Sequence, residues 1–239
     1  MTLKLAIPSK GRLQQQTIAW FSERGIEIAR SGAERTYGAT IDGIEGVSLI
    51  LLAAAEIPRE LAAGRIHAGV TGQDLLREQN PHWPERVIEM APLGFGFADL
   101  VVAVPAAWID VTDMSDLDGA AAAFRAHHGH RLRVATKYHQ LVRAFFRAHG
   151  VADYALVDSQ GATEGAVKNL TAEAIADITT TGATLRDNHL RILDDGLILR
   201  SQAVLFLSRA ADWTPDAART VARLAARLGV EAPEGFPEG

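Results

Sequence analysis

Short apolar runs alternate with helix-length segments along most of the 239-residue chain, and this alternation restricts its fold more than any other feature. Residues 3–7 and 47–52 are apolar runs typical of buried strands, and a helix-like segment follows each of them. Alternation of this kind favours an α/β architecture with parallel sheets. In such sheets, ligands bind beyond the carboxyl ends of the strands.

The stretch Pro92–Gly96 contains one proline and two glycines, which indicates a boundary between two lobes of the chain. We therefore predict that residues 97–189 form lobe II, and that residues 1–96 and 190–239 form lobe I. Residues 197–200 and 203–208 resemble a pair of strands. A closing helix, Thr214–Leu228, would then return to the first lobe.

Composition excludes several classes of function. The formal net charge is −5 at pH 7, which argues against broad nucleic-acid binding and requires a local basic pocket for any anionic substrate. The chain has no cysteine, so disulfides, thiolate zinc sites and a cysteine nucleophile are excluded. No apolar run approaches the length of a membrane span, and the first strand-like run is too short for a signal peptide. We therefore predict a cytoplasmic protein without a membrane partner.

The segment from Glu173 to Leu185 has the highest density of residues that can bind a ligand. An apolar strand leads to Asp177, and four threonines and one glycine follow within six residues, Thr179 to Thr184. Successive backbone N–H groups and hydroxyls in such a turn bind phosphate, and the acid would bind ribose hydroxyls. The same pattern also fits a plain loop in which Asp177 caps the turn. The sequence contains neither a P-loop motif nor G-x-G-x-x-G, so the two commonest nucleotide-binding motifs do not apply.

Four further segments accompany this turn in a fixed order. They are Pro8–Leu13, Ala68–Leu76, Arg133–Tyr138 and, upstream of Asp177, Glu164. Together with the D-x-x-x-T-G-x-T-L-x-x-N run from Asp177 to Asn188, they resemble the ATP phosphoribosyltransferase family across nearly the whole chain. The resemblance implies a two-lobed, periplasmic-binding-protein-like (type II) α/β architecture with the active site in the interlobe cleft. It also implies transfer of the phosphoribosyl group of phosphoribosyl pyrophosphate (PRPP) to N1 of ATP, giving phosphoribosyl-ATP and pyrophosphate, the first step of histidine biosynthesis.

The resemblance assigns roles to individual residues. It places the 5′-phosphate of PRPP on the turn formed by Thr179, Thr180, Thr181, Gly182, Ala183 and Thr184. Asp177 and Glu164 would bind the ribose hydroxyls. Arg12 and Arg35 would act as catalytic cations, and ATP would contact Lys10, Gly72, Gln73 and Asp74. Mg²⁺ is implied as a substrate-associated ion, without a cage made entirely of protein ligands.

The resemblance also implies partners. The family's long form carries an additional C-terminal regulatory domain, whereas this chain ends soon after the closing helix and resembles the short form. A homodimer core and a hetero-oligomer with a regulatory subunit similar to histidyl-tRNA synthetase are therefore expected. The chain departs from the family pattern at Ala53, where an arginine is often found, and within residues 165–171.

Other interpretations of the same residues remain open. A solute-binding domain of the same architecture would do no chemistry. A purine or pyrimidine phosphoribosyltransferase would place two adjacent acids before its phosphate loop, where this chain has Asp177 alone. Lys10, Arg12 and Glu164 are also residue types common on solvated surfaces. The histidines of the run His127–His130 are expected in a surface loop between a helix and a strand rather than around a metal.

Overall fold

The computed structural model describes residues 2–30, 39–159 and 161–231. The strands, in chain order, are β1 (Leu3–Pro8), β2 (Glu27–Arg30), β3 (Ala39–Asp42), β4 (Val47–Leu52), β5 (Ala68–Gly72), β6 (Val87–Pro92), β7 (Ala98–Pro105), β8 (Leu132–Thr136), β9 (Tyr154–Asp158), β10 (Ala174–Thr179), β11 (Leu190–Ser201) and β12 (Ala203–Ser208). The helices are α1 (Gly11–Ser22), α2 (Ile57–Ala62), α3 (Gln73–Gln79), α4 (Trp83–Arg86), α5 (Met114–His128), α6 (His139–Ala148), α7 (Gly165–Lys168), α8 (Ala183–Asp187) and α9 (Pro215–Leu228).

The chain divides into two compact α/β units. The first unit comprises Met1–Gly96 and Gln202–Gly239, and the second comprises Phe97–Ser201. The sheet of the first unit has the order β4-β1-β5-β12-β6, and that of the second has the order β11-β7-β10-β8-β9. Strands β2 and β3 form a separate two-stranded sheet.

The core of the first unit lies on both faces of its sheet. Leu5 and Ile7 of β1 pack on one face with residues of α1 and α9, among them Phe21 and Leu224. Ala6 points to the other face, in a second cluster with residues of α2 and α3. Burial on both faces explains why β1 is apolar almost without interruption. Strand β1 pairs in parallel with both β4 and β5, so their carboxyl ends lie along one edge.

The second unit repeats this plan with different elements. Alternate residues of β7 enter two clusters, so Val102 packs with residues of α5 and α6 while Ala103 packs near α8. Strand β8 pairs in parallel with β9 and β10, which brings the carboxyl ends of these three strands to one edge. Strand β7 runs antiparallel to both β10 and β11.

Three predictions about the fold are wrong. Both large sheets are mixed rather than wholly parallel, because β12 is antiparallel to β5 and β6, and β7 is antiparallel to β10. The strands at residues 197–200 and 203–208 do not pair with each other. Residues 190–201 form β11 on β7 in the second unit, whereas β12 pairs with β5 and β6. The second unit therefore ends at Ser201 rather than residue 189, because β11 remains paired with β7 as far as Ser201 opposite Ala98.

The histidine run also differs from its prediction. Helix α5 continues through His128, and Gly129 ends it with a left-handed φ of 76°, so the first two histidines are helical rather than in a loop. His128 packs against the ring of Phe124, with 4.3 Å between ring centroids. Among the described residues there is no group of three His, Cys, Asp or Glu placed to hold a metal ion, and none of the described helices is long and apolar enough to cross a membrane.

One buried histidine ties β1 to the segment before α9. The Lys4 N–H donates to Nδ1 of His67 over 3.0 Å, and Nε2 of His67 lies 3.1 Å from the Asp212 carbonyl oxygen. This arrangement requires the neutral ring with its proton on Nε2. Burial lowers the pKa of His67 below its ordinary value, which the bond to the Asp212 carbonyl only partly offsets.

Candidate active site

The second unit contains a polar cavity at the edge where β10 ends. Its volume is about 250 Å³, roughly eight times the ~30 Å³ that one water molecule takes in the liquid. The residues that line it are Ala98, Glu164, Asp177, Ile178, Thr179, Thr180, Thr181, Thr184 and Leu185. Six of the eight residues predicted to bind PRPP therefore lie around one space, and Gly182 and Ala183 form the turn behind it.

The turn after β10 is organised by its own threonines. Gly182 has a left-handed φ of 70°, a conformation that glycine adopts without steric cost. Its N–H donates to Oγ1 of Thr179 over 2.9 Å, and the N–H of Ala183 donates to Oγ1 of Thr181 over 3.3 Å. The hydroxyl oxygens thus accept hydrogen bonds from N–H groups of the type that bind phosphate in such turns. A bound phosphate would replace these hydroxyl oxygens as the acceptor of the two N–H groups. The released hydroxyls could then donate hydrogen bonds to the phosphate.

Two carboxylates face the cavity from different segments. Asp177 lies in β10, and its Oδ1 accepts the Ile178 N–H over 2.9 Å. Glu164 precedes α7 and follows Thr163, which is completely buried. Both carboxylates are partly exposed, so their oxygens are accessible as hydrogen-bond acceptors for a polyhydroxyl ligand.

A cation beside the turn was not among the predicted site residues. Nη1 of Arg186 donates to the Thr181 carbonyl oxygen over 3.1 Å, which holds the guanidinium against the turn. Helix α8 is only five residues long, so its dipole adds little and Arg186 is the larger positive charge at this place. The available signal was a basic residue four positions after Gly182, at the spacing of one helical turn.

In the first unit, the predicted ATP-binding residues and the predicted catalytic residue Arg12 follow two adjacent parallel strands. Lys10 and Arg12 come after β1 and are exposed, and Gly72 ends β5 beside it. The Ser9 N–H donates to the Leu52 carbonyl over 2.7 Å, which joins the ends of β1 and β4. The parallel strands therefore place these residues along a single sheet edge.

The side chain of Gln73 has a fixed orientation at this edge. Its Nε2 donates to Oε1 of Glu89 over 3.0 Å, and Nη2 of Arg77 lies 3.6 Å from the same oxygen. A carboxylate only accepts hydrogen bonds, so the amide must direct its NH₂ group to Glu89 and its Oε1 away from it. Asp74, the next residue, is buried.

One predicted site residue cannot be placed. Arg35 lies outside the described residues, and its catalytic role stays a prediction. The departure at Ala53 leads into a turn held by the side chains of Glu56 and Thr71. The Ala53 N–H donates to Oε2 of Glu56 over 3.0 Å, and Oγ1 of Thr71 donates to the Ala54 carbonyl over 2.9 Å.

Comparison with known proteins agrees with the arrangement of these segments. The sequence model of the HisG family, described as ATP phosphoribosyltransferase, matches residues 53–229. An ATP phosphoribosyltransferase from Cereibacter sphaeroides is 65% identical over 236 residues, covering 99% of this chain and 100% of the relative. The chain belongs to the ATP phosphoribosyltransferase family. It is an enzyme that transfers the phosphoribosyl group of PRPP to N1 of ATP in the first step of histidine biosynthesis.

Solved structures support the fold class. The ATP phosphoribosyltransferase (HisG:HisZ) complex from Thermotoga maritima contains a chain that matches with a TM-score of 0.68 at 22% identity, covering 95% of this chain and 97% of that one. A periplasmic sulfonate-binding protein from Methylobacillus flagellatus matches with a TM-score of 0.55 at 12% identity, covering 95% and 66%. The predicted periplasmic-binding-protein-like α/β architecture is therefore confirmed, and family membership excludes the rival interpretations as a solute-binding domain or a purine phosphoribosyltransferase.

Proposed function

We propose that the cavity at the end of β10 is the PRPP site of this transferase. The observation that carries the proposal is that Glu164, Asp177 and four threonines line the same space. The turn from Thr179 to Thr184 would bind the 5′-phosphate through its N–H groups and hydroxyls. Arg186, held against that turn, would supply the positive charge that a dianionic phosphate requires.

Asp177 and Glu164 would then bind the ribose hydroxyls of PRPP. Carboxylates are strong acceptors for hydroxyl groups, and both lie on the wall of the cavity that also carries the threonines. Fixing the ribose at both ends would hold C1 in place for attack by N1 of the adenine. Because that attack needs no protein nucleophile, positioning and charge stabilisation would supply most of the catalysis.

The first unit would contribute the cations and the ATP contacts. Arg12 and Arg35 would stabilise the negative charge that develops on the departing pyrophosphate, for which arginine offers bidentate donors and permanent charge. Lys10, Gly72, Gln73 and Asp74 would bind ATP. With its NH₂ directed to Glu89, Gln73 would present Oε1 as an acceptor, which suits the amino group of adenine.

Mg²⁺ fits the donor set of the PRPP cavity. This ion is usually bound through one or two carboxylates together with substrate phosphates, and Glu164 and Asp177 are two such carboxylates on one wall. Bound with PRPP, the ion would neutralise charge on the pyrophosphate. We propose that it arrives with the substrate and is held chiefly by substrate oxygens.

We further propose that the chain works as a short-form catalytic subunit with a homodimer core and a separate regulatory subunit similar to histidyl-tRNA synthetase. The Thermotoga maritima neighbour was solved as a HisG:HisZ complex, and the Cereibacter sphaeroides relative is covered over its full length. Feedback by histidine would then require the partner, which supplies the second site that coupling needs. ATP and PRPP are cytoplasmic metabolites, which favours the predicted cytoplasmic location.

A pyrophosphate-release assay tests the assigned residues directly. Purified protein is mixed with PRPP, ATP and Mg²⁺, and the wild type is compared with Asp177→Asn and with Asp187→Asn as a control on the exposed end of α8. We expect Asp177→Asn to raise the KM for PRPP about tenfold or more, since a charged acceptor contributes about 1.5–3 kcal/mol, while Asp187→Asn leaves it unchanged. An unchanged KM in the Asp177 variant would reject the ribose-binding role.

A further inference from the structure

We propose that Lys137 is a positioning residue for PRPP, because its ammonium group fixes the loop that presents Glu164 to the cavity. The inference rests on the proposed role of Glu164 at the PRPP ribose. Lys137 itself is not part of the cavity wall. It would act by fixing the position of Glu164.

Lys137 lies where three strands end. Thr136, the last residue of β8, is paired with Ala176 of β10 on one side and with Asp158 of β9 on the other. The next residue, Lys137, therefore stands between Asp177 of β10 and the start of the loop that leads from β9 to Glu164. Its side chain is exposed, and Nζ donates to the Gly161 carbonyl oxygen over 2.7 Å.

The base of the same loop is fixed independently. The Ser159 N–H donates to the Thr136 carbonyl over 3.2 Å, and Oγ of Ser159 donates to Oγ1 of the completely buried Thr163 over 2.8 Å. Nε2 of His139 lies 2.6 Å from Oδ1 of Asp158 at the loop's start. These contacts secure the two ends of the loop, and Lys137 holds the carbonyl of exposed Gly161 between them.

The segment before Glu164 is held at two points, Thr163 by Ser159 and Gly161 by Lys137. Glu164 follows Gly161 closely along the chain. Ala162 and Thr163 separate them, and the Gly165 N–H donates back to the Ala162 carbonyl over 3.1 Å. This contact closes a turn from Ala162 to Gly165 that carries Glu164. Release of the Gly161 carbonyl would therefore let Glu164 occupy several positions, and binding PRPP would have to select one of them.

The first test compares single variants in steady-state kinetics. Lys137→Met removes the ammonium but keeps an unbranched chain, and Lys137→Arg keeps a charged donor. Lys168→Met is the matched control, because it removes the same charge from exposed Lys168 in α7, within the same segment as Glu164. We expect Lys137→Met to raise the KM for PRPP about five- to twentyfold, with kcat and the KM for ATP within twofold of wild type. Lys137→Arg should recover most of the loss, and Lys168→Met should change no constant more than twofold.

A double-mutant cycle with Glu164→Gln separates positioning from other effects. If Lys137 acts through Glu164, Lys137→Met should raise the PRPP KM less than twofold in the Glu164→Gln background. Equal effects in both backgrounds would mean that Lys137 acts elsewhere and would overturn the inference. So would an unchanged KM for PRPP in Lys137→Met alone.

The two proposals fail in distinguishable ways. If Glu164→Gln raises the KM for PRPP and Lys137→Met does not, only the inference about Lys137 is wrong. If Glu164→Gln leaves that KM unchanged, the role of Glu164 in the proposed PRPP site is wrong, and the positioning role of Lys137 is rejected with it. Thermal unfolding of every variant shows whether the fold is retained.

Discussion

Replacement of Gly182 by aspartate should weaken PRPP binding by about fivefold to about a thousandfold and leave the fold intact. Gly182 has a φ of 70°, and a Cβ built on it would lie 3.0 Å from Nη1 of Arg186 and 3.7 Å from Cδ1 of Ile192. The closer neighbour is the flexible end of a side chain, so it can move. Aspartate and asparagine enter the left-handed region more easily than most residues, and we expect a stability cost of about 1–2 kcal/mol for either.

The effect on binding follows from charge. A carboxylate at position 182 would stand beside the phosphate, where one pair of unit charges about 4 Å apart repels by roughly 1 kcal/mol in water and roughly 4 kcal/mol near a protein surface. These limits correspond to a loss of affinity of about fivefold to about a thousandfold. The new carboxylate would also attract the Arg186 guanidinium 3.0 Å from its Cβ position, and so remove that cation from the phosphate.

Gly182→Asn is the matched control, because it has the same shape and backbone preference without the charge. Titration calorimetry with PRPP and Mg²⁺ measures affinity, and thermal unfolding shows that each variant is folded. We expect Gly182→Asp to bind at least fivefold more weakly than Gly182→Asn. Wild-type affinity in a folded Gly182→Asp protein would refute the phosphate assignment, and equal losses in the two variants would show that shape rather than charge is responsible.

Three further predictions concern catalysis, pH and regulation. Arg12→Ala and Arg35→Ala should each lower kcat by roughly ten- to a thousandfold, as expected for loss of one preorganised donor, whereas a change confined to KM would indicate ground-state binding. If Arg35 acts across a subunit interface, subunit exchange between the two inactive variants should restore part of the activity. The pKa of His67 is lowered in the folded protein, so below the unfolded-state pKa of about 6.5 the unfolded protein binds more protons than the folded protein. The free energy of unfolding should therefore have its full value above that pH and decrease as the pH falls below it. Urea unfolding should show a smaller loss between pH 7.5 and pH 5 in His67→Gln than in the wild type. Saturating histidine should leave the isolated subunit active and inhibit it only after the regulatory protein is added; strong inhibition of the subunit alone, noncompetitive with both substrates, would contradict the proposed regulation.

Local sequence determined the bounds of several strands. Strands β4 and β12 have the bounds predicted for them, because each is a compact run of apolar residues between breaks in the pattern. Strand β6 and the end of α5 were not recognised. The segment that forms α5 contains four consecutive alanines and few large apolar residues, so it carries little of the periodicity that marks a helix against a core.

The candidate site shows the same division. Asp177 and the threonine turn were visible in the sequence because they are contiguous, and one strand and one turn place them together. The sequence pattern did not show that Glu164 lies beside that turn, that Arg186 contacts it, or that Lys137 binds the Gly161 carbonyl. Each depends on contacts that only the folded chain creates, and the bond from Lys137 joins residues 24 positions apart.

Sequence by itself therefore determined the α/β class, the family and the residues of the threonine turn, since each is visible in local patterns along the chain. Only the tertiary structure decided which strands pair. Residues 197–200 and 203–208 are nearly adjacent in sequence, yet they enter different sheets because β7 pairs with the first and β5 and β6 with the second. The apolar pattern of a strand shows that it will be buried, but the choice of partner depends on segments about a hundred residues away, which no local pattern records.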